Sequence, residues 1–585
     1  MKSDQKWNAL LTALLAGILL SVVGLMTAWA QSDVLTWHND NARTGQNLNE
    51  PYLTPANVNS NTFGLLWVLP VDGKVDGQPL YAGGVSIPNQ GLHNVLFVVT
   101  EHDSVYAFDA NTSNVLWHVS MLGTNETPSD IRNCSQIKPE IGITATPVID
   151  RQVGSNGTLF VVAMSKQGFT NYIHRLHALD LATGLDRVPP ATIVAVYPGT
   201  GDNSSTNSSG VTNVVFDPSQ YKERTALLLL NGVVYTMWTS HCDRQPYTGW
   251  VMGYDEQSLA QTNLWNVTPN GTQGAIWMSG AGPAADTNGN IYFLDGNGTL
   301  DTTLSTNGFP TNSNFGNSFI KLSTFGNVLA PVDYFAPSNT IAQNAVDLDF
   351  GSGGVLVLPD MIDTNGQTRQ LAVAAGKDQD IYLLDRANLG QFNPGTNAIY
   401  QQVFGALGGG VWGTPAYFNG VLYYGPTNGP VKAFPFQNAR LTHASSQTAI
   451  SFAYPGTTPS ISANGTSNGI VWVFQNVNPA VLHAYAATNL AVELYNSNQA
   501  VNNRDNFGGG NKFIVPTIAN GRVYVGTTNG VGVFGLFTFP PVIAVQPTNQ
   551  GVLAGSTASF SVNVSGTPPY GYQWQFNGVN LTDGG

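Results

Sequence analysis

The sequence predicts an all-β chain: an eight-bladed β-propeller closed by an N-terminal strand, with a smaller β-module after it. Three observations carry this. Charged residues make up only 10% of the 585, and the 64 glycines come with abundant Asn, Thr and Ser; that mix suits turns and sheet edges and is poor for long helices. A strand motif recurs along most of the chain. The first and last copies of the repeat are incomplete in complementary ways.

At the N-terminus, Lys2 and Lys6 precede an apolar run over residues 9–26 and the ending Ala28-Trp29-Ala30. A basic start, an apolar stretch and an Ala-x-Ala ending make residues 1–30 a secretory signal. The run is long enough to leave an uncleaved membrane anchor open, and no other stretch would span a bilayer after cleavage. The expected location is secreted or cell-surface, periplasmic or extracellular. The formal charge of −13, without a Lys/Arg cluster, excludes nucleic acid as a partner.

Residues 31–538 carry the repeat. Strands ending in apolar residues and Asp occur as "YAFD", "HALD", "MGYD" and "YLLD" at Asp109, Asp180, Asp255 and Asp385. Weaker copies are "FIKLS", "KAFPF", "HAYAA" and "GVFGL". Each follows an apolar strand that opens near a Pro or small residue, such as "TATPVID" or "WGTPAYFNG", and a second strand with period-two alternation, such as "NVLFVVT" or "RVYVGT". Each unit is therefore four strands, and counting gives eight. The Asp residues are expected to cap the turn into the outer strand, and the Trp of each "LW" to pack between blades. "TFGLLWVLPVDG" at 62–73 reads as a lone outer strand, whereas residues 513–536 supply three inner strands and stop. Pairing the two closes the ring and removes the exposed edges.

Residues 539–585 begin with a Pro-rich linker, "FPPVIAVQP", and continue as two strands and a third around Trp574. This part resembles the first half of an immunoglobulin-like domain of bacterial exported proteins, without its cysteines. Such domains need about 100 residues, so the sequence reads as a fragment whose tail is an incomplete β-sandwich.

The blade signature (strand, turn, "YALD"-like strand, turn, "LW") resembles that of the pyrroloquinoline-quinone repeat superfamily, which includes quinoprotein alcohol dehydrogenases and members without cofactor. The resemblance covers residues 40–537. In "NIYFLDGNG", Asn297 matches an Asn that contributes to Ca²⁺ binding in the dehydrogenases. In "DLDFGSGG", Asp349 matches their catalytic Asp, and in "GKDQDIYLLDRANLG", Lys377 matches a basic residue that contacts the cofactor. Asp243 falls near the acidic calcium ligand. The resemblance thus implies pyrroloquinoline quinone and Ca²⁺ as cofactors, with hard oxygen ligands on the metal. The sequence departs from the family in three ways. It has no Cys-Cys pair to cover a quinone and no Cys-x-x-Cys-His for a haem. Gly280 also stands where the family places a Trp under the cofactor, with Trp277 nearby.

Propeller connectivity puts alternate loops of every blade on one face. That face collects Glu101, His102, Asp103, Glu140, Lys166, His241, Asp243, Arg244, Asn297, Asp347, Asp349, Lys377, Asp378 and Trp412. In a chain so poor in charge the collection suggests a binding rim; the bland alternative is turn capping by ordinary loop residues. Glu101, His102 and Asp103 are neighbours at a strand end and are not expected to converge. Cys134 and Cys242 fall on the same face and suit a structural disulfide, with free buried thiols left open. Two functions are consistent with these residues. One is a ligand-binding, scaffold or adhesion protein that takes an extracellular small molecule, carbohydrate or protein through this face. The other is a quinone- and Ca²⁺-dependent alcohol or sugar dehydrogenase with altered cofactor packing, and paired carboxylates leave hydrolase or lyase chemistry open.

Overall fold

The computed structural model describes residues 33–538, 542–565 and 571–582. The predicted signal, residues 1–30, lies outside the described residues. Strand dominates, and the one α-helix among the described residues is the short Thr340–Ala345. No helix among them is long and apolar enough to cross a membrane.

Among the described residues, eight antiparallel meanders follow one another, each led by an inner strand. These inner strands are Leu80–Ile87, Val148–Asp150, Leu228–Leu230, Ala284–Ala285, Leu356–Val357, Ala416–Phe418, Ser460–Asn464 and Thr517–Ala519. The final sheet holds only three strands of its own neighbourhood. Its fourth is Phe63–Pro70, antiparallel to Gly530–Leu536 from Phe63↔Leu536 to Pro70↔Gly530. The segment read as a lone outer strand thus pairs with the unit that lacked one.

The repeated Asp residues behave as their position demands. A carboxylate two residues before a backbone N–H accepts from it and closes the turn. Asp109 takes the N–H of Asn111 at 2.7 Å, Asp180 that of Ala182 at 3.0 Å, Asp255 that of Gln257 at 3.2 Å and Asp385 that of Ala387 at 2.9 Å. The Trp residues of the "LW" pairs pack between sheets: Trp265 is buried, and Trp117 donates its indole N–H to the carbonyl of Leu181 in the next sheet at 3.0 Å.

Sheets pack in chain order. Phe97 and Val161 join the first two sheets, Phe160 and Trp238 the second and third, and Tyr235, Phe293 and Tyr382 the third to fifth. Leu383 and Leu422 share one buried cluster, Tyr423 and Val471 another, and Trp472 and Phe534 a third. Tyr524 and Val533 of the last sheet then bury Tyr81 and Leu96 of the first. Each large apolar side chain buried this way contributes roughly 1.5–3 kcal/mol. Stability is thus spread over successive interfaces rather than held in one centre.

One feature was not readable from the repeat. The chain between Val34 and Asn47 winds past all eight inner strands in order. Val34 and Tyr81 exchange backbone hydrogen bonds, and Leu35 accepts from Ile149. Asn41 donates to Leu229 and accepts from Ala285, and Ala42 accepts from Val357. Thr44 accepts from Tyr417, Gln46–Asn47 runs parallel to Ser460–Asn464, and the Asn47 amide donates to Ile518. Arg43, fully buried in this segment, donates to the carbonyls of Pro283, Trp37 and Leu227 at 2.8, 2.8 and 3.3 Å. Irregular backbone can be buried this way because its N–H and C=O groups are paired.

After the last sheet, Val542–Val545 pairs with Asn563–Ser565 and Gln575–Phe576 with Val579–Asn580. Trp574 beside this hairpin is 40% exposed.

Candidate functional site

The segments that lead into the inner strands converge on a cavity of about 750 Å³. Asp76, Arg224, Trp277, Asp349, Trp412 and Phe513 come from six such segments, each a few residues upstream of the point where the strand meets the winding N-terminal segment. Loops between second and third strands add Asp243, Asn297 and Lys377. The mouth and the N-terminal winding therefore sit at opposite ends of the inner strands.

One wall is acidic. Lys377 Nζ lies 3.0 Å from Asp349 Oδ1 and 2.8 Å from Asp347 Oδ1. The Asn297 amide donates to the same Asp347 oxygen at 2.8 Å, while its own Oδ1 is buried and accepts nothing. The backbone holds this set together: Lys377 N–H donates to the Asp349 carbonyl, and Phe350 N–H to the Asn317 side chain at 2.6 Å. Asp349 is buried, and burial raises its carboxyl to about 6, with Lys377 pulling the other way. A carboxyl poised there takes up or releases a proton near neutral pH. Gly376 is required beside it, because a Cβ would sit 2.7 Å from the Phe350 Cα.

Trp277 forms an adjoining wall, with Lys377 Nζ 5.8 Å from its ring centroid. Met278, Ser279 and Gly280 follow at φ 35°, 53° and 85°. Three successive left-handed residues turn the chain sharply away, and the Gly280 position is unsuited to a large side chain.

The structure brings together Asp243, Trp277, Asn297, Asp347, Asp349, Lys377 and Trp412 of the residues singled out by sequence. Others on the predicted rim point elsewhere. Glu101 is buried against Lys74 at 2.9 Å, and burial, with Asp76 next, raises its carboxyl to about 9. His102 pairs with Glu140 at 2.8 Å, and Asp103 is fully buried, so the three neighbours diverge as strand geometry requires. Lys166 pairs with Asp130, and Asp378 accepts from Tyr382 and Gln343. Arg132 donates to His241 at 3.2 Å, and Arg244 donates to the carbonyls of Arg132 and Asn133. These contacts brace the loop of Cys134, which forms a disulfide with Cys242 (Cα–Cα 6.1 Å).

Sequence reasoning missed Lys74, Asp76, Lys222, Arg224, Lys512 and Phe513. The available signal was position: "DGKVDGQP", "YKERT" and "GNKFIVP" each put a rare cation just before an inner strand, as "DLDFGSGG" does with Asp349.

Among the described residues no three His, Cys, Asp or Glu side chains converge as a metal site would need. The unpartnered Asn297 Oδ1 and the Asp243 carboxylate line the same cavity, and both are hard oxygen donors of the kind Ca²⁺ takes. Residues and group therefore fit in donor chemistry.

No family profile matches the chain, and no curated protein matches it. Solved structures do. The quinohemoprotein alcohol dehydrogenase ADHIIG from Pseudomonas putida HK5 superposes with a TM-score of 0.58 at 13% identity, over 86% of this chain and 80% of its own. The quinohemoprotein alcohol dehydrogenase from Comamonas testosteroni gives 0.56 at 14% identity over the same shares. A europium-containing methanol dehydrogenase gives 0.53 at 12%, over 86% of this chain and 98% of that one. The likeness is one of fold: the chain folds as a β-propeller similar to those of these quinoprotein dehydrogenases.

Proposed function

We propose that the protein is a secreted, eight-bladed propeller that binds a small extracellular ligand in the cavity, followed by part of an immunoglobulin-like spacer or adhesive module. Residues 1–30 serve as the signal, 31–538 as the propeller and 539–585 as linker and partial module. The observation that carries the reading is a cavity of about 750 Å³ lined by rare charged residues and two tryptophans, Trp277 and Trp412; pockets of this size with a few placed polar groups are typical ligand sites. Tryptophan fluorescence tests it. A panel of sugars and organic acids should contain a compound that quenches emission saturably, with the response reduced in Trp277→Phe and Trp412→Phe. Quenching that is identical in both variants counts against the cavity.

A second reading is favoured by the free Asn297 Oδ1 in the same cavity as the buried Asp349: a dehydrogenase in which Asn297 and Asp243 would hold Ca²⁺ for pyrroloquinoline quinone. The bound pair would supply an electrophilic oxidant for an alcohol. The chain's own part would be Asp349 receiving the alcohol proton, Lys377 holding positive charge beside it, and Trp277 offering one flat face. Reconstitution with the quinone and Ca²⁺, followed by dye reduction with alcohols, separates this reading from simple binding.

A further inference from the structure

We propose that the part of the cavity lining built from Lys222, Arg224 and Lys512 is a subsite for an oxyanion group, a carboxylate or sulfate carried by the ligand. The proposal rests on the cavity being the binding site. It narrows the ligand class to acidic small molecules.

Charge accounting leads there. The chain has 22 Lys and Arg and a net charge of −13. Lys74, Lys222, Arg224, Lys377 and Lys512 nevertheless line this one cavity. Lys377 is held between two aspartates, Lys74 lies 2.9 Å from Glu101, and Arg224 has Asp76 at 3.6 Å. Lys222 and Lys512 have no carboxylate within 4.0 Å among the described residues. Lys222 is 3% exposed, and its ammonium makes a single long hydrogen bond, 3.4 Å to the Gln136 amide oxygen. A buried ammonium without a counter-charge is costly, and a protein retains one where a ligand supplies the missing charge. Burial lowers the Lys222 amine to about 7, Asp243 opposing and Arg132 and Arg224 adding to the effect. Lys512 is lowered as well, by burial and then by Arg224 and Lys74. These groups repel one another as they stand; an oxyanion among them relieves burial and repulsion together.

The flanking surface suits an organic ligand. Arg224 lies over the Phe513 ring at 5.3 Å and Lys512 Nζ stands 5.5 Å from the Tyr454 ring centroid, so cations and flat apolar faces alternate. Arg224 is held in place by the Thr144 carbonyl at 2.6 Å.

The test uses the whole protein. Thermal melts in sodium sulfate and in sodium chloride at matched ionic strength come first. Sulfate should raise the wild-type melting temperature more than chloride does. Lys222→Met should melt higher than wild type without sulfate and lose the extra gain, whereas Lys166→Met should keep it. Calorimetry with D-galacturonate, D-galactose 6-sulfate and neutral D-galactose then distinguishes carboxylate from sulfate. The preferred acid should bind at least about tenfold more tightly than galactose, the worth of one charge-assisted hydrogen bond. That margin should vanish in Lys222→Met. A sulfate gain that persists in Lys222→Met overturns the proposal, as does galactose binding as tightly as the acids. In the latter case the cavity remains a binding site and only the oxyanion subsite falls.

Discussion

Lys377 bridges two carboxylates of one short segment: its Nζ lies 3.0 Å from Asp349 and 2.8 Å from Asp347. The two partners differ in setting. The Asp347 side chain is 76% exposed and that of Asp349 5%. The ammonium therefore joins a solvated charge at the mouth to a desolvated one inside, and the inner carboxylate depends on it most.

Replacing Lys377 by Met should raise the Asp349 pKa above its value of about 6. Carbon-13 NMR of the labelled carboxyl measures this; an unchanged or lower value refutes the coupling. The native pKa lies above the ordinary 3.8, so the folded state binds the extra proton between those values. Stability from this group therefore falls as pH rises through that window. Asp349→Asn should gain on wild type in urea midpoint from pH 4 to pH 8.

Lys222 titrates in the opposite sense. Its amine is lowered to about 7 from 10.5, so the penalty of burying the charge is complete below 7 and fades as pH rises toward 10.5. The stability advantage of Lys222→Met should shrink steadily between pH 7 and pH 10. A constant advantage would show that the amine is not the cause.

Reducing the Cys134–Cys242 bond, which spans 108 residues, should cost ~4 kcal/mol in the chain-entropy picture. Guanidinium unfolding with and without reductant reads the difference. A Cys134→Ala/Cys242→Ala protein that melts with the wild type refutes the structural role.

Arg43→Met should destabilise by about 3–5 kcal/mol, because the carbonyls of Pro283, Trp37 and Leu227 lose their donor in a dry site. Equilibrium unfolding in urea is the measurement, and a loss below ~1 kcal/mol would mean that other donors replace it.

Gly376→Ala should shift Lys377 away from Asp349, since the new methyl would press on the Phe350 backbone at 2.7 Å. A loss of about 1–3 kcal/mol is expected, together with a higher Asp349 pKa by NMR. An unaltered pKa would show that the two segments move as one.

Much of the fold was legible because it is periodic. The "YAFD" pattern fixes strand, register and turn cap within a few residues, and the lone strand around Trp67 could be matched to the deficient last unit by counting. Propeller connectivity placed Asn297, Asp349 and Lys377 on one face, and only the resemblance suggested roles for them. The cationic wall was not legible, because Lys222, in the short strand Tyr221–Glu223, and Lys512, in a loop, lie far apart in sequence and converge only in the tertiary fold. Glu101 shows the converse: it sits at a suggestive strand end, yet its side chain turns in against Lys74. The winding of residues 34–47 has no local pattern at all, since its partners lie up to 471 residues away along the chain.

That winding has a consequence for traffic. With the far end of the inner strands stoppered by Arg43 and its neighbours, the chamber is a cul-de-sac. Whatever enters the cavity must back out by the same doorway. Two visitors cannot pass each other, so any exchange there proceeds by turns, and the dwell time of the first sets the pace for the second.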